Sequence, residues 1–122
     1  MSQNRQLAAI MFTDIVGYTA LMGNNEQKAF ELLRKNREIH KPIIESYGGK
    51  WIKELGDGVM ASFPAVSNAV YAAIKIQEKC KEVNAFSLRI GIHQGEVVFE
   101  NEDIFGDAVN IAARIQTAAT PG

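Results

Sequence analysis

The sequence predicts an α+β fold, a sheet of short strands with helices packed on one of its faces. Two observations lead there. Apolar residues recur at helical spacing in three stretches, near residues 26–46, 64–84 and 105–119. Between them lie short apolar or alternating runs closed by glycine turns. The resulting order is β-α-α-β-β-α-β-β-α, and a βαββαβ core of the ferredoxin-like kind is embedded in it.

Leu7 to Phe12 is a nearly continuous apolar run, as in a strand buried on both faces, and it ends at Thr13-Asp14. Gly17 breaks the pattern, and Tyr18 to Met22 suit a short helical turn. Asn24 or Asn25 can cap a long helix to about Ser46, with Ala29, Leu32, Leu33, Ile39, Ile43 and Tyr47 as its apolar stripe. Pro42 should kink it. His40 lies beside that stripe and reads as a packed or interface histidine rather than a metal ligand. Gly48-Gly49 ends the helix. Lys50–Leu55 and Val59–Phe63 form a hairpin around Gly56-Asp57-Gly58. Pro64 opens a second long helix to about Asn84, with Val66, Val70, Ala73, Ile76, Cys80 and Val83 as its core stripe. Phe86–His93 and Gly95–Glu100 read as two strands. Asn101–Asp103 then lead into a last helix over Phe105–Ala119.

The 122 residues suit one domain spanning 1–122. A net charge of −1 argues against a general nucleic-acid or membrane surface. No apolar run approaches the roughly 20 residues that span a bilayer. Met1 to Gln6 is polar and is not a signal peptide. The single cysteine, Cys80, excludes an internal disulfide and reads as a buried structural thiol, which leads to the expectation of a reducing, cytoplasmic location.

Several residues can carry chemistry. Asp14 ends a buried strand, either as a cap for the next helix or as a ligand. Asp57 is either a favoured hairpin-turn residue or a ligand. If the first strand and the hairpin are neighbours, both carboxylates reach one point, and with a main-chain carbonyl they suit Mg²⁺. The backbone leaving the strand through Gly17 opens a helix whose free N–H groups attract phosphate. On the last helix Asp107, Asn110, Arg114 and Thr117 share one polar stripe, opposite Ala108, Ile111, Ala112 and Ile115. That stripe is either a solvated face or an arrangement of donors for an anionic ligand. Lys53 and Asp103 are either surface charges or site residues.

Four segments then carry a resemblance. Phe12-Thr13-Asp14-Ile15-Val16-Gly17-Tyr18-Thr19 resembles the first metal-binding segment of class III adenylyl and guanylyl cyclases, and Lys53-Glu54-Leu55-Gly56-Asp57-Gly58 resembles their second. Arg89 to Gly95 resembles their central strand and turn, and Asp103 to Arg114 their transition-state helix. The resemblance implies that Asp14 and Asp57, with the Ile15 carbonyl, hold two Mg²⁺ or Mn²⁺ ions. It implies that the backbone from Ile15 through Val16, Gly17, Tyr18 and Thr19 holds the β- and γ-phosphates. Lys53 and Asp103 would read the purine; guanylyl cyclases typically carry Glu and Cys there, so this pair implies ATP. Asn110 would orient the ribose and Arg114 would stabilise charge on the α-phosphate.

The implied reaction is in-line attack of the ribose 3′-oxygen on the α-phosphorus, yielding cyclic AMP and pyrophosphate. The implied assembly is a head-to-tail homodimer with sites at its interface, alongside further regulatory domains. Family domains run several strands beyond this chain's last helix. The expectation is therefore a fragment without the final strands, weak or inactive alone, with an exposed sheet edge. The competing readings are a guanylate cyclase, a catalytically silent cyclase-like pairing domain, a diguanylate cyclase and a ferredoxin-like binding module. A diguanylate cyclase would need a Gly-Gly-Asp/Glu-Glu-Phe hairpin where Gly56-Asp57-Gly58 stands. A binding module would show exposed sheet aromatics and a basic surface.

Overall fold

A computed structural model describes residues 4–83, 86–100 and 103–118. Its elements are β1 (Asn4–Ile15), α1 (Tyr18–Asn24), α2 (Glu26–Ser46), β2 (Lys50–Leu55), β3 (Gly58–Phe63), α3 (Val66–Val83), β4 (Leu88–Glu100), β5 (Asp103–Phe105) and α4 (Asp107–Ala118). The sheet order is β2-β3-β1-β4-β5, with every pairing antiparallel. Within it β2-β3-β1-β4 has the ferredoxin-like arrangement, with the α+β composition expected. Asn84, Asn101 and Ala119, placed at element ends by the sequence, lie outside the described residues.

β1 is central because it is apolar on both faces. Ala9, Met11 and Ile15 join one core with Ala29, Ile39 and Ile44 of α2 and Ala69, Ala72, Ile76 and Cys80 of α3. Ala8 and Ile10 join a second core with Met60, Val97, Ile104, and Ala108 and Ala112 of α4. The helices therefore cover both faces, which corrects the expectation of a single covered face. Two glycines explain why α4 can pack there. A methyl group on Gly91 would stand 2.2 Å from Gln116 N, and one on Gly95 would stand 2.7 Å from Ala108 Cβ. These glycines seat a helix; they do not break a strand. Phe86–His93 and Gly95–Glu100 are accordingly a single strand, β4, and the fifth strand is the short β5.

The stripe of α3 also differs. Ala69, Ala72, Ile76 and Cys80 are buried, while Val66, Val70 and Val83 are exposed. Both sets have helical spacing, and the alanines let the helix axis lie closer to the sheet. On α4 Ile115 is likewise exposed and Gln116 takes its place inward.

Local signals set the ends of α2. Asn25 Oδ1 accepts from Lys28 N at 3.2 Å, the N-cap bond. At the other end Gly48, with φ +76°, donates to Glu45 O, and Gly49 N donates to Ile44 O at 2.8 Å. That is a Schellman closure. The helix continues through Pro42 to Ser46.

Candidate active site

Leu55 stands opposite Gly58 in the β2–β3 hairpin, so Gly56 and Asp57 are its two loop residues. Gly56 has φ +63°, the left-handed value that primed hairpin turns require at their first loop position. Asp57 Oδ2 accepts a hydrogen bond from Ile15 N at 2.9 Å. The hairpin tip is thus anchored to the C-terminal end of β1, beside Asp14. Asp14 in turn accepts from Arg89 Nε at 3.4 Å, across the β1–β4 pairing. Among the described residues no three His, Cys, Asp or Glu side chains form a ready-made metal cage. The donor set here is two carboxylates and nearby main-chain oxygen. It fits a hard cation that keeps coordination positions for water or phosphate.

The backbone after β1 is partly committed. Val16 N donates to Ser87 O at 3.0 Å. Gly17, at φ +78°, turns the chain into α1, and the amides of Gly17, Tyr18 and Thr19 stand at that helix's open end. Tyr18 is buried in the α2/α3 core, and the Thr19 side chain lies outside the described residues.

A second group forms on the sheet face that α4 also covers. β2 and β5 are the two edges of the sheet, yet Lys53 Nζ donates to Asp103 Oδ2 at 2.8 Å. Lys50 Nζ lies 5.7 Å from the Phe99 ring, and Ile52 packs into the same cluster as Ile104. The sheet therefore curls until its edges meet on this side. The lysine hydrogen bond is the main reason that Asp103 titrates below the ordinary aspartate value, outweighing the opposing effect of burial.

On α4, Asp107, Asn110, Arg114 and Thr117 are exposed, as the polar stripe implied. Thr117 Oγ1 donates back to Ala113 O at 3.1 Å, a helix-surface bond. Among the described residues no hydrogen bond or ion pair joins the Asp14–Asp57 group to Lys53, Asp103, Asn110 or Arg114.

The sequence pattern described as the adenylate and guanylate cyclase catalytic domain matches residues 1–122. This chain belongs to the class III cyclase catalytic domain family. A putative adenylate cyclase 3 of Rhizobium meliloti (strain 1021) is 38% identical over 99% of this chain and 22% of its own length. An adenylate cyclase of Streptomyces coelicolor is 31% identical over 91% of this chain and 30% of its own length. The cyclase domain described here thus spans less than a third of these curated relatives. Among solved structures, an adenylate/guanylate cyclase/hydrolase from Silicibacter pomeroyi superposes with a TM-score of 0.90. It is 36% identical, and the match covers 98% of this chain and 74% of that one. The guanylyl cyclase Cya2 gives 0.89 at 25% identity, over 99% and 74%.

Two contacts in this cyclase domain escaped sequence reasoning. Arg89 was legible only as part of a motif, because its partnership with Asp14 depends on the register of two strands 75 residues apart. His40, read as a packed histidine, is fully buried, and its ring is tied to the site strand. Its Nδ1 faces Asn36 O at 2.9 Å and therefore donates, so Nε2 accepts from the Thr13 hydroxyl at 2.9 Å. Burial lowers its pKa to about 4, opposed by the Asn36 bond. The imidazole is a neutral strut beneath the residue that precedes Asp14.

Proposed function

We propose that this chain is catalytic domain sequence of an adenylate cyclase, which converts ATP to 3′,5′-cyclic AMP and pyrophosphate. The observation that carries the choice of ATP is the Lys53–Asp103 pair at 2.8 Å. An ammonium and a carboxylate side by side can donate to adenine N1 and accept from its 6-amino group. The two curated relatives named as adenylate cyclases support the same reading.

Asp14, Asp57 and the Ile15 carbonyl would hold two Mg²⁺ or Mn²⁺ ions. When bound, these ions would acidify the ribose 3′-hydroxyl and offset the triphosphate charge. The amides of Gly17, Tyr18 and Thr19 cradle the β- and γ-phosphates, and Val16 fixes that loop through its bond to Ser87. Arg89, which donates to Asp14 across the β1–β4 pairing, would be available to phosphate oxygens if that carboxylate bound a cation instead. Asn110 holds the ribose, and Arg114 donates to the α-phosphate as charge develops there. The absence of any bond between the carboxylate group and Lys53, Asp103, Asn110 or Arg114, among the described residues, supports a split site. One protomer supplies the carboxylates and its partner the rest, in a head-to-tail homodimer with two equivalent sites.

The test is turnover of ATP and GTP with Mn²⁺, by this chain and by the chain extended to the length of the solved relatives' domain. Asp57→Ala should abolish product. Intact turnover in that variant would overturn the metal assignment, and a preference for GTP would overturn the roles of Lys53 and Asp103.

A further inference from the structure

β2 does not alternate regularly. Trp51 pairs with Ala61, but the next pair is Lys53 with Met60, so Ile52 is an extra residue and β2 carries a bulge. Ala61 and Val59 belong to the α2/α3 core, and Met60 to the α4 core. Trp51 and Glu54, which pair with Ala61 and Val59, therefore both face α2. Ile52 and Lys53 both face the other layer, where Lys53 meets Asp103. In a regular strand residues three apart point to opposite faces. Trp51 and Glu54 can share a face only while the bulge persists.

Two contacts hold them there. Trp51 packs against the α2/α3 core with the Lys41 ammonium 5.5 Å from its ring centroid. Glu54 accepts Arg37 Nε on both carboxylate oxygens, at 2.9 and 2.8 Å. Arg37 is on α2, so this pair reaches from helix to strand one residue beyond Lys53. We propose that the Arg37–Glu54 pair is a positioning device for nucleotide selection: together with Trp51 it holds the bulge at Ile52, and the bulge aims Lys53 at Asp103. Were β2 to relax to regular pairing, Lys53 would share the face of Trp51 and point toward α2, away from Asp103. Neither Arg37 nor Glu54 touches the nucleotide. The inference rests on the proposal that Lys53 and Asp103 read the base.

The experiment uses Arg37→Met, Glu54→Gln, the charge-reversed double variant Arg37→Glu/Glu54→Arg, and Lys53→Met as reference. The first readout is the Asp103 carboxyl titration by NMR, which needs no nucleotide. Its midpoint should rise in both single variants toward that of Lys53→Met, and return toward the parent value in the double variant. The second readout is the ATP/GTP ratio of kcat/KM in the chain extended to the length of the solved relatives' domain. It should fall at least about tenfold in the single variants, mainly through the KM for ATP, and recover in the double variant. Denaturant unfolding of each variant separates loss of fold from loss of aim. An Asp103 midpoint unchanged in both single variants overturns the clamp, and Lys53→Met still reports independently on base reading. A midpoint that moves while nucleotide preference stays fixed, in Lys53→Met as well, overturns base reading and with it the selection role.

Discussion

Gly91→Ala should push back the helix that carries Asn110 and Arg114. The added methyl would lie 2.2 Å from Gln116 N, 2.6 Å from Gln116 Cα and 2.8 Å from Ile115 C. All three are backbone atoms of α4, so no side-chain rotation relieves the clash. The nearest contact falls about 1.2 Å short of the 3.4 Å at which ordinary contact begins. α4 must retreat by that order, and Ala108 and Ala112 retreat with it from Ala8, Ile10 and Val97. Overpacking of this kind costs about 1–3 kcal/mol, and the rigidity of both partners argues for the upper part. For a chain of 122 residues the unfolding entropy is roughly 0.26 kcal/mol/K, so the melting temperature should fall by about 8–12 °C. Gly23→Ala is the control. Gly23 lies in α1 with nothing within 4 Å of the new methyl, and there alanine should be neutral or stabilising by up to about 1 kcal/mol. Calorimetry of the two variants decides the matter. A Gly91→Ala protein that melts with the parent would show that α4 does not need its close approach to β4, and the account of Gly91 as a helix seat would be wrong.

Stability should fall with acid through His40. The unfolded imidazole takes up a proton near pH 6.5, whereas the folded one resists to about 4. The unfolded state therefore binds more protons between those values. Stability present above pH 6.5 is lost as pH falls toward 4, roughly 2 kcal/mol of it by pH 5, and denaturant titrations of His40→Gln should show that slope flattened. Thr13→Val keeps the shape but removes the donor to His40 Nε2, so it should cost about 1–3 kcal/mol by chemical denaturation. Wild-type melting by Thr13→Val would mean that the bond contributes nothing. Burial pushes the Cys80 thiol up to about 11. Near pH 8 its thiolate fraction is then about a hundredfold below that of an ordinary thiol, so an aromatic disulfide reagent should label it only as fast as the protein unfolds.

The order of elements, the Asn25 cap and the meeting of the Asp57 hairpin with the end of β1 were legible because each depends on residues close in sequence, or on strands that must be neighbours. Three features were not, and each has a specific physical reason. Gly95 looks like a strand break because glycine serves equally as a turn and as a seat for a helix, and only the presence of α4 above it decides between them. On α3, Val66 and Val70 looked like core because they are more apolar than Ala69 and Ala72, yet the helix lies on its alanines because a small side chain permits a shorter distance to the sheet. The third case bears most on function. Strict alternation places Lys53 on the face of Trp51, and its pairing with Asp103 depends on one inserted residue that reverses the strand's parity. Nothing in the run Lys50-Trp51-Ile52-Lys53-Glu54-Leu55 marks the insertion. It shows only in what the flanking side chains reach, an indole over the α2/α3 core and a carboxylate on Arg37. Local pattern therefore reports faces where a strand is regular and fails where it is not. In this fold the irregular place, Ile52, directly precedes the residue proposed to choose the base, because an edge strand can absorb an extra residue without breaking the ladder of a second neighbour.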